Sequence, residues 1–235
     1  MSTADTTLSN LKHTCFIIVP GFDKDTSSVE NIKKELEETG YAAFSVNFWG
    51  DGEVNFRTLT MHQAVAGLKS KIEEKAKHYD HVIAIGISLG GALLLEYAKQ
   101  DSEIDTIVGV GIPFRLQYHY SLAFSSYVFF PILMLWWNLT GSHIKWLASH
   151  RVQKYLSGTF QTNLTAIKTP ILLLQSTRDK VVNPVATKRY FETLVTPIKK
   201  LIMVDDVDHV LAQNEPIIFS ECIKFVRNNN IGIQL

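Results

Sequence analysis

The chain has 235 residues, 46% of them hydrophobic, which suffices for one sizeable core in a single domain with a small insertion. Its 23 acidic and 23 basic residues cancel and no basic stripe stands out, so nucleic acid is not an expected partner. Cys15 and Cys222 each lie in an apolar run and read as small buried hydrophobes rather than a disulfide, which fits a reducing compartment. The first ten residues are polar and lack an apolar signal core, so no secretory leader is expected and the expected location is cytoplasmic. In that setting the two Asn-x-Thr sequons at Asn138 and Asn163 carry no meaning.

Short β-branched runs alternate with longer helical segments. The run CFIIVP over 15–20 predicts a strand buried on both faces. Ser27 or Ser28 is placed to cap a helix running to Glu38, with Val29, Ile32 and Leu36 at helical spacing and Gly40 as its stop. A second strand is expected over 41–48 and a helix over 60–78, with Ala64, Val65, Leu68, Ile72 and Ala76 on one face. A third strand over 80–86 leads to an apolar helix over 89–100, and a fourth strand spans 104–112. Strands at 170–175 and 200–204 and helices at 184–194 and 215–228 complete the pattern. This alternation implies an α/β fold, with a mostly parallel sheet of about six strands and helices on both faces.

Between Pro113 and Ala166 the alternation stops for about 50 residues, far longer than usual connections within a domain. The expected organisation is therefore a core of 1–112 and 166–235, with 113–165 inserted as a helical cap. Within the insertion, 122–139 is mostly apolar and aromatic. A membrane span needs roughly 20 apolar residues; this run is shorter, holds Ser125 and Ser126 and is broken by Pro131. It reads as a buried or lipid-facing lid helix, which leaves peripheral membrane contact open.

The chemistry centres on Gly86-Ile87-Ser88-Leu89-Gly90, which follows a predicted strand and opens a predicted helix. A G-x-S-x-G run in that context is a nucleophile elbow. Small residues on either side let the chain turn sharply, and the serine hydroxyl is presented at the carboxyl end of the sheet. A plain glycine-rich strand-to-helix turn is the bland alternative, so partners matter. A serine needs a base, and the base needs an orienting carboxylate. Asp179 follows the fifth strand and His209 the sixth, both able to reach that edge. Asp205, Asp206 and Asp208 are rival orienters, but they lie too near His209 in sequence and read as solvated turn carboxylates. Acyl transfer also needs two N–H donors for the oxyanion. Leu89 supplies one, and Phe22, after Pro20-Gly21, is the candidate for the second.

No H-x-x-x-H pair, no paired cysteine motif and no G-x-G-x-x-G after the first strand occurs, so neither a metal nor a cofactor is expected.

With these residues in hand, the sequence resembles the α/β-hydrolase superfamily, and within it the small bacterial carboxylesterases and monoacylglycerol lipases. Gly86-Ile87-Ser88-Leu89-Gly90-Gly91 is similar to the family's elbow. Val19-Pro20-Gly21-Phe22 is similar to its His-Gly-Phe oxyanion turn, with proline in place of histidine. Gly50-Asp51-Gly52 is similar to its Gly-His-Gly loop, again without histidine. Thr177-Arg178-Asp179-Lys180-Val181-Val182 and Asp208-His209-Val210 fall where the family places its acid and base. The resemblance implies an α/β-hydrolase fold, a Ser88–Asp179–His209 triad and oxyanion donors at Phe22 and Leu89. It also implies hydrolysis of a small acyl ester, a monoacylglycerol or a short-chain ester.

The aromatic cap residues either line an acyl site or simply pack the cap onto the sheet. Thioester hydrolysis or acyl transfer on the same three residues is the alternative chemistry, and a catalytically silent binding protein the alternative class. Oligomeric state is not set by the sequence.

Overall fold

The computed structural model describes residues 13–21, 26–48, 60–100, 102–114, 164–206, 208–211, 214–229 and 231. Its strands are β1 (Thr14–Val19), β2 (Ala42–Ser45), β3 (His81–Ile87), β4 (Thr106–Val110), β5 (Ile171–Ser176) and β6 (Lys199–Val204). Its helices are α1 (Glu30–Glu38), α2 (Met61–Ala76), α3 (Leu89–Tyr97), α4 (Pro184–Thr193) and α5 (Glu215–Asn228), with short 3-10 turns at Thr26–Val29 and Leu164–Ala166. The strands form one sheet in the order β2-β1-β3-β4-β5-β6, and every neighbouring pair is parallel.

All six residues of β1 are buried, and their period-two alternation divides them between two apolar layers. Cys15, Ile17 and Val19 join α2 and α3 through Ala64, Leu68, Ile72, Leu89 and Leu93. Phe16 and Ile18 join α1 and α5 through Ile32, Leu36, Ile218, Cys222 and Val226. The continuous apolar run thus has the cause inferred from sequence: helices cover both faces.

Strand order also sets the working edge. The chain runs from β1 to β2 on one side and returns to β3 on the other, so the crevice at the carboxyl ends of β1 and β3 is a topological switch point.

Local signals account for most boundaries. Thr60 caps α2 in a reciprocal box: Gln63 N–H donates to Thr60 Oγ1 at 3.3 Å and Thr60 N–H to Gln63 Oε1 at 2.9 Å. Helix α5 begins and ends where its periodicity predicts. The start of α1 differs from expectation. Neither Ser27 nor Ser28 is its cap; Val29 occupies that position with no side-chain cap bond, after a 3-10 turn. Val29 is buried with Ile32 and Leu36, so packing against the sheet overrides the local preference for a serine cap. Strand β4 stops at Val110, two residues earlier than expected, because Gly111 at φ 56° takes the chain out of extended geometry.

Both cysteines are free and buried. Burial, with a smaller effect of Asp105, pushes the Cys15 thiol up to about 12, and burial raises that of Cys222 as well. Neither is a reactive thiolate near neutral pH.

Of the proposed insertion, only Pro113, Phe114, Leu164 and Thr165 are described, and 122–139 lies outside the described residues. Phe114 and Leu164 are both buried in the α2–α3 layer, and Phe114 stacks on Tyr190 of α4 at 5.2 Å. Among the described residues no helix is long and apolar enough to cross a membrane.

Ile85 is fully buried at the middle of β3, beside Ile18 and Val108. Ile85→Ala is expected to lower the unfolding free energy by about 2–5 kcal/mol, read from the midpoint of urea denaturation at unchanged slope.

Candidate active site

Ser88 sits between the end of β3 and the first residue of α3. Its backbone has φ 51° and ψ −118°, a conformation that costs a non-glycine residue about 1–3 kcal/mol. The surroundings hold it there. Ser88 N–H donates to the Val110 carbonyl at 2.7 Å. Gly86 and Gly91 meet across the turn so closely that a Cβ on Gly86 would lie 2.5 Å from the Gly91 nitrogen. Gly86 and Gly91 are therefore a steric requirement of strand and helix passing at one point, while Gly90 is required by the Val19 and Pro20 carbonyls, with which a Cβ there would clash. Gly21, after β1, lies directly against Ser88.

Asp179 lies in the turn after β5 and is 3% exposed. Its Oδ1 accepts from Val181 N–H at 2.7 Å and Val182 N–H at 2.8 Å. These bonds fold the turn around the carboxylate and aim Oδ2 toward the sheet edge. Asp179 is neither a surface residue nor the cap of α4: Asn183 caps α4 by accepting from Val185 and Ala186 N–H.

The residue Oδ2 meets is His209, in the loop after β6. His209 Nδ1 lies 2.7 Å from Asp179 Oδ2, and His209 Nε2 lies 2.9 Å from Ser88 Oγ. An ionised carboxylate can only accept, so Nδ1 carries the proton and Nε2 is left to accept from the Ser88 hydroxyl. Residues 88, 179 and 209 thus form one hydrogen-bonded line.

Burial pushes the Asp179 carboxyl up, but the hydrogen bond and charge of His209 and the N–H groups of Val182 and Val181 outweigh it. The carboxyl is held below its usual range.

The loop carrying His209 is shaped by a residue that sequence reasoning misjudged. Asp206, read as a solvated turn carboxylate, is 4% exposed. Its carboxylate accepts from Asp208 N–H at 2.8 Å and from the Asn214 side-chain amide, and its carbonyl accepts from Ser176 Oγ at the end of β5. The last bond ties the loop carrying His209 to the turn carrying Asp179. Asp205 does behave as expected, exposed and paired with Arg178 at 3.1 Å, a contact worth under about 1 kcal/mol. Asp208 Oδ1 accepts from Val210 N–H at 2.8 Å.

Leu211, two residues past His209, has φ 58° and is fully buried in the α1–α5 layer. Ser88 and Leu211 are the non-glycine residues with positive φ among the described residues, and both flank this site. Gly111 closes the back of the imidazole: a Cβ there would come 3.2 Å from His209 Nδ1 and clash with the His209 carbonyl. No sequence signal marked Asp206 or Gly111, since their roles depend on loops distant in the chain.

Leu89 is the first residue of α3, where backbone N–H groups have no intrahelical acceptor and the helix dipole favours negative charge. Phe22, the expected second donor, and the 50–52 loop lie outside the described residues. No group of three or more His, Cys, Asp or Glu side chains among the described residues is placed to hold a metal ion.

Two outcomes follow from this packing. A carboxyl held below its usual range stabilises the fold above its unfolded pKa, and that contribution disappears as pH falls through the folded value. Asp179→Asn should therefore destabilise the protein at about pH 7 and progressively less toward about pH 3, in urea melts at both values. Gly111→Ala must place a side chain at positive φ against His209; a stability loss of about 1–3 kcal/mol is expected in the same melts.

No protein-family model and no curated protein sequence matches the chain. Solved structures do match over nearly its whole length. MGS-MChE2, an α/β-hydrolase enzyme from a sediment metagenome of the Mar Chica lagoon, Morocco, aligns with a TM-score of 0.71 at 16% identity, covering 93% of each chain. The monoacylglycerol lipase of Paleococcus ferrophilus aligns at 0.67 and 16%, covering 91% of this chain and 94% of its own. A soluble variant of monoglyceride lipase from Saccharomyces cerevisiae aligns at 0.67 and 15%, covering 91% and 87% respectively. The sheet, its helices and these matches agree on one architecture: the chain has the α/β-hydrolase fold.

Proposed function

We propose that this protein is a serine hydrolase that cleaves carboxylic esters through an acyl-enzyme on Ser88. The observation that carries the reading is the unbroken line from Ser88 Oγ through His209 to the buried Asp179 carboxylate, at 2.9 and 2.7 Å. That the similar folds include two monoacylglycerol lipases supports the choice of an ester over other acyl substrates.

In the proposed reaction His209 Nε2 takes the Ser88 hydroxyl proton as Oγ attacks the ester carbonyl. Asp179 keeps the imidazole in the tautomer that leaves Nε2 free and offsets the charge that His209 then gains. The tetrahedral oxyanion is received by the Leu89 N–H at the start of α3 and by the Phe22 N–H after β1. His209 returns its proton to the departing alcohol, and the carbonyl re-forms as an ester to Ser88. Water then attacks that ester, giving its proton to His209; cleavage of the Ser88 ester releases the acid and returns the proton to Oγ. Every step uses groups of the chain and one water.

The substrate class we favour is a small acyl ester, a monoacylglycerol or a short-chain ester. Residues 113–165, of which Phe114 and Leu164 near either end are buried in the core, are proposed as the cap that sets acyl length.

A fluorophosphonate probe tests the reading directly: wild type should label and Ser88→Ala should not. Equal labelling of the two, or none of wild type, would remove the hydrolase proposal. On a series of p-nitrophenyl esters of rising chain length, His209→Ala should show no turnover. Asp179→Asn should lose about 10³-fold or more in kcat, with near-wild-type turnover pointing to another carboxylate as the orienter.

A further inference from the structure

Asp179 does not meet His209 alone. The oxygen facing the imidazole, Oδ2, also accepts at 2.9 Å from Nε2 of Gln175, a fully buried residue near the end of β5. The same nitrogen donates to the Ser176 carbonyl at 3.2 Å. The other end of the amide, Oε1, accepts at 2.9 Å from the hydroxyl of Thr187, on the buried side of α4 and 2% exposed. The Asn183 carbonyl is a more distant neighbour of that hydroxyl, at 3.5 Å.

Polarity fixes every group in this line. The carboxylate can only accept, so the Gln175 amide must turn its NH2 toward Asp179 and its oxygen toward Thr187, whose hydroxyl must then donate. Reversing the amide would set two buried acceptors against each other, at the cost of losing a charge-assisted bond. Sheet and helix are thereby joined through the carboxylate that faces His209.

We propose that Gln175, held by Thr187, is a positioning residue that fixes the Asp179 carboxylate and shares its Oδ2 with the His209 Nδ1–H. The inference rests on the triad reading for its catalytic consequence. Two donors on one oxygen divide its accepting capacity, so the bond to the imidazole is held at a set strength and direction. Without Gln175 the carboxylate is still held at Oδ1 by two backbone bonds but loses a donor at Oδ2. Oδ2 then turns wholly to Nδ1–H.

The test uses the full chain with Gln175→Leu, Thr187→Val, Asp179→Asn and the double variant Gln175→Leu/Asp179→Asn. The first readout is the far-downfield proton resonance of His209 Nδ1–H, which is observable whether or not the protein turns over an ester. Gln175→Leu should move it further downfield; an unchanged position in a folded variant overturns the proposal. The second readout is ester hydrolysis. Gln175→Leu should lose about tenfold or more in kcat with KM changed less than about twofold, and Thr187→Val about threefold. The double variant should be no slower than Asp179→Asn alone, because Gln175 acts through that carboxylate; fully additive losses overturn the proposal. Should Gln175→Leu fail to fold, Thr187→Val carries the same resonance test, with an unshifted signal counting against it. If wild type cleaves no ester but Gln175→Leu still moves the resonance downfield, the hydrolase reading is retired and the positioning role stands.

Discussion

The site depends on one buried, ionised carboxylate and the donors that surround it. Asp179 is 3% exposed, an environment in which an unpaired charge would be untenable. Donors from Val181, Val182, Gln175 and His209 make it stable as an anion. Being an anion, it can only accept, and that single fact propagates outward. It fixes the His209 tautomer, leaves Nε2 facing the Ser88 hydroxyl and orients the Gln175 amide and the Thr187 hydroxyl behind it. A protonated Asp179 would impose none of these orientations.

The sheet brings the members of this network together without any close sequence spacing. All six strands are parallel, so the segments leaving β1, β3, β5 and β6 emerge at one edge. Gly21, Ser88, Asp179 and His209 lie just past those four ends. Finer placement comes from contacts between the loops. Ser176 Oγ donates to the Asp206 carbonyl, and Arg178 N–H approaches the same oxygen at 3.3 Å, so the turn bearing Asp179 and the loop bearing His209 are fastened to each other. Positive φ at Ser88 and at buried Leu211 shows where the chain is bent to reach these positions. Strain of this kind persists only where neighbouring packing over-determines it, and both residues have that packing.

Much of this was legible in the residues themselves, for physical reasons. CFIIVP is apolar at every position because helices cover both faces of β1. Ala64, Val65, Leu68, Ile72 and Ala76 announce α2 through an apolar face at helical spacing, and all five are buried. Gly86 and Gly91 are required by a crossing of backbones within six residues, though Gly90 answers to the distant Val19 and Pro20 carbonyls. Ser88, Asp179 and His209 could be picked out because each follows a strand, and parallel topology does the rest. What stayed hidden depends on long-range contacts. Asp206 looked like any turn carboxylate, since nothing nearby in sequence indicates that Ser176, 30 residues away, binds its backbone. Gln175 read simply as the end of an apolar strand, and Gly111 as part of one. Val29 displaced the expected serine cap because its burial against the sheet outweighs a local hydrogen bond.

The central claim is that the Ser88 oxygen becomes covalently acylated and that His209 and Asp179 exist to make and clear that bond. The most direct measurement is rapid-quench mass spectrometry of the protein mixed with a p-nitrophenyl ester, followed by peptide mapping. The account predicts a transient mass gain equal to the acyl group, located on the peptide carrying Ser88 and forming as the first equivalent of nitrophenol appears. Ester cleavage with the acyl group on another residue would contradict it.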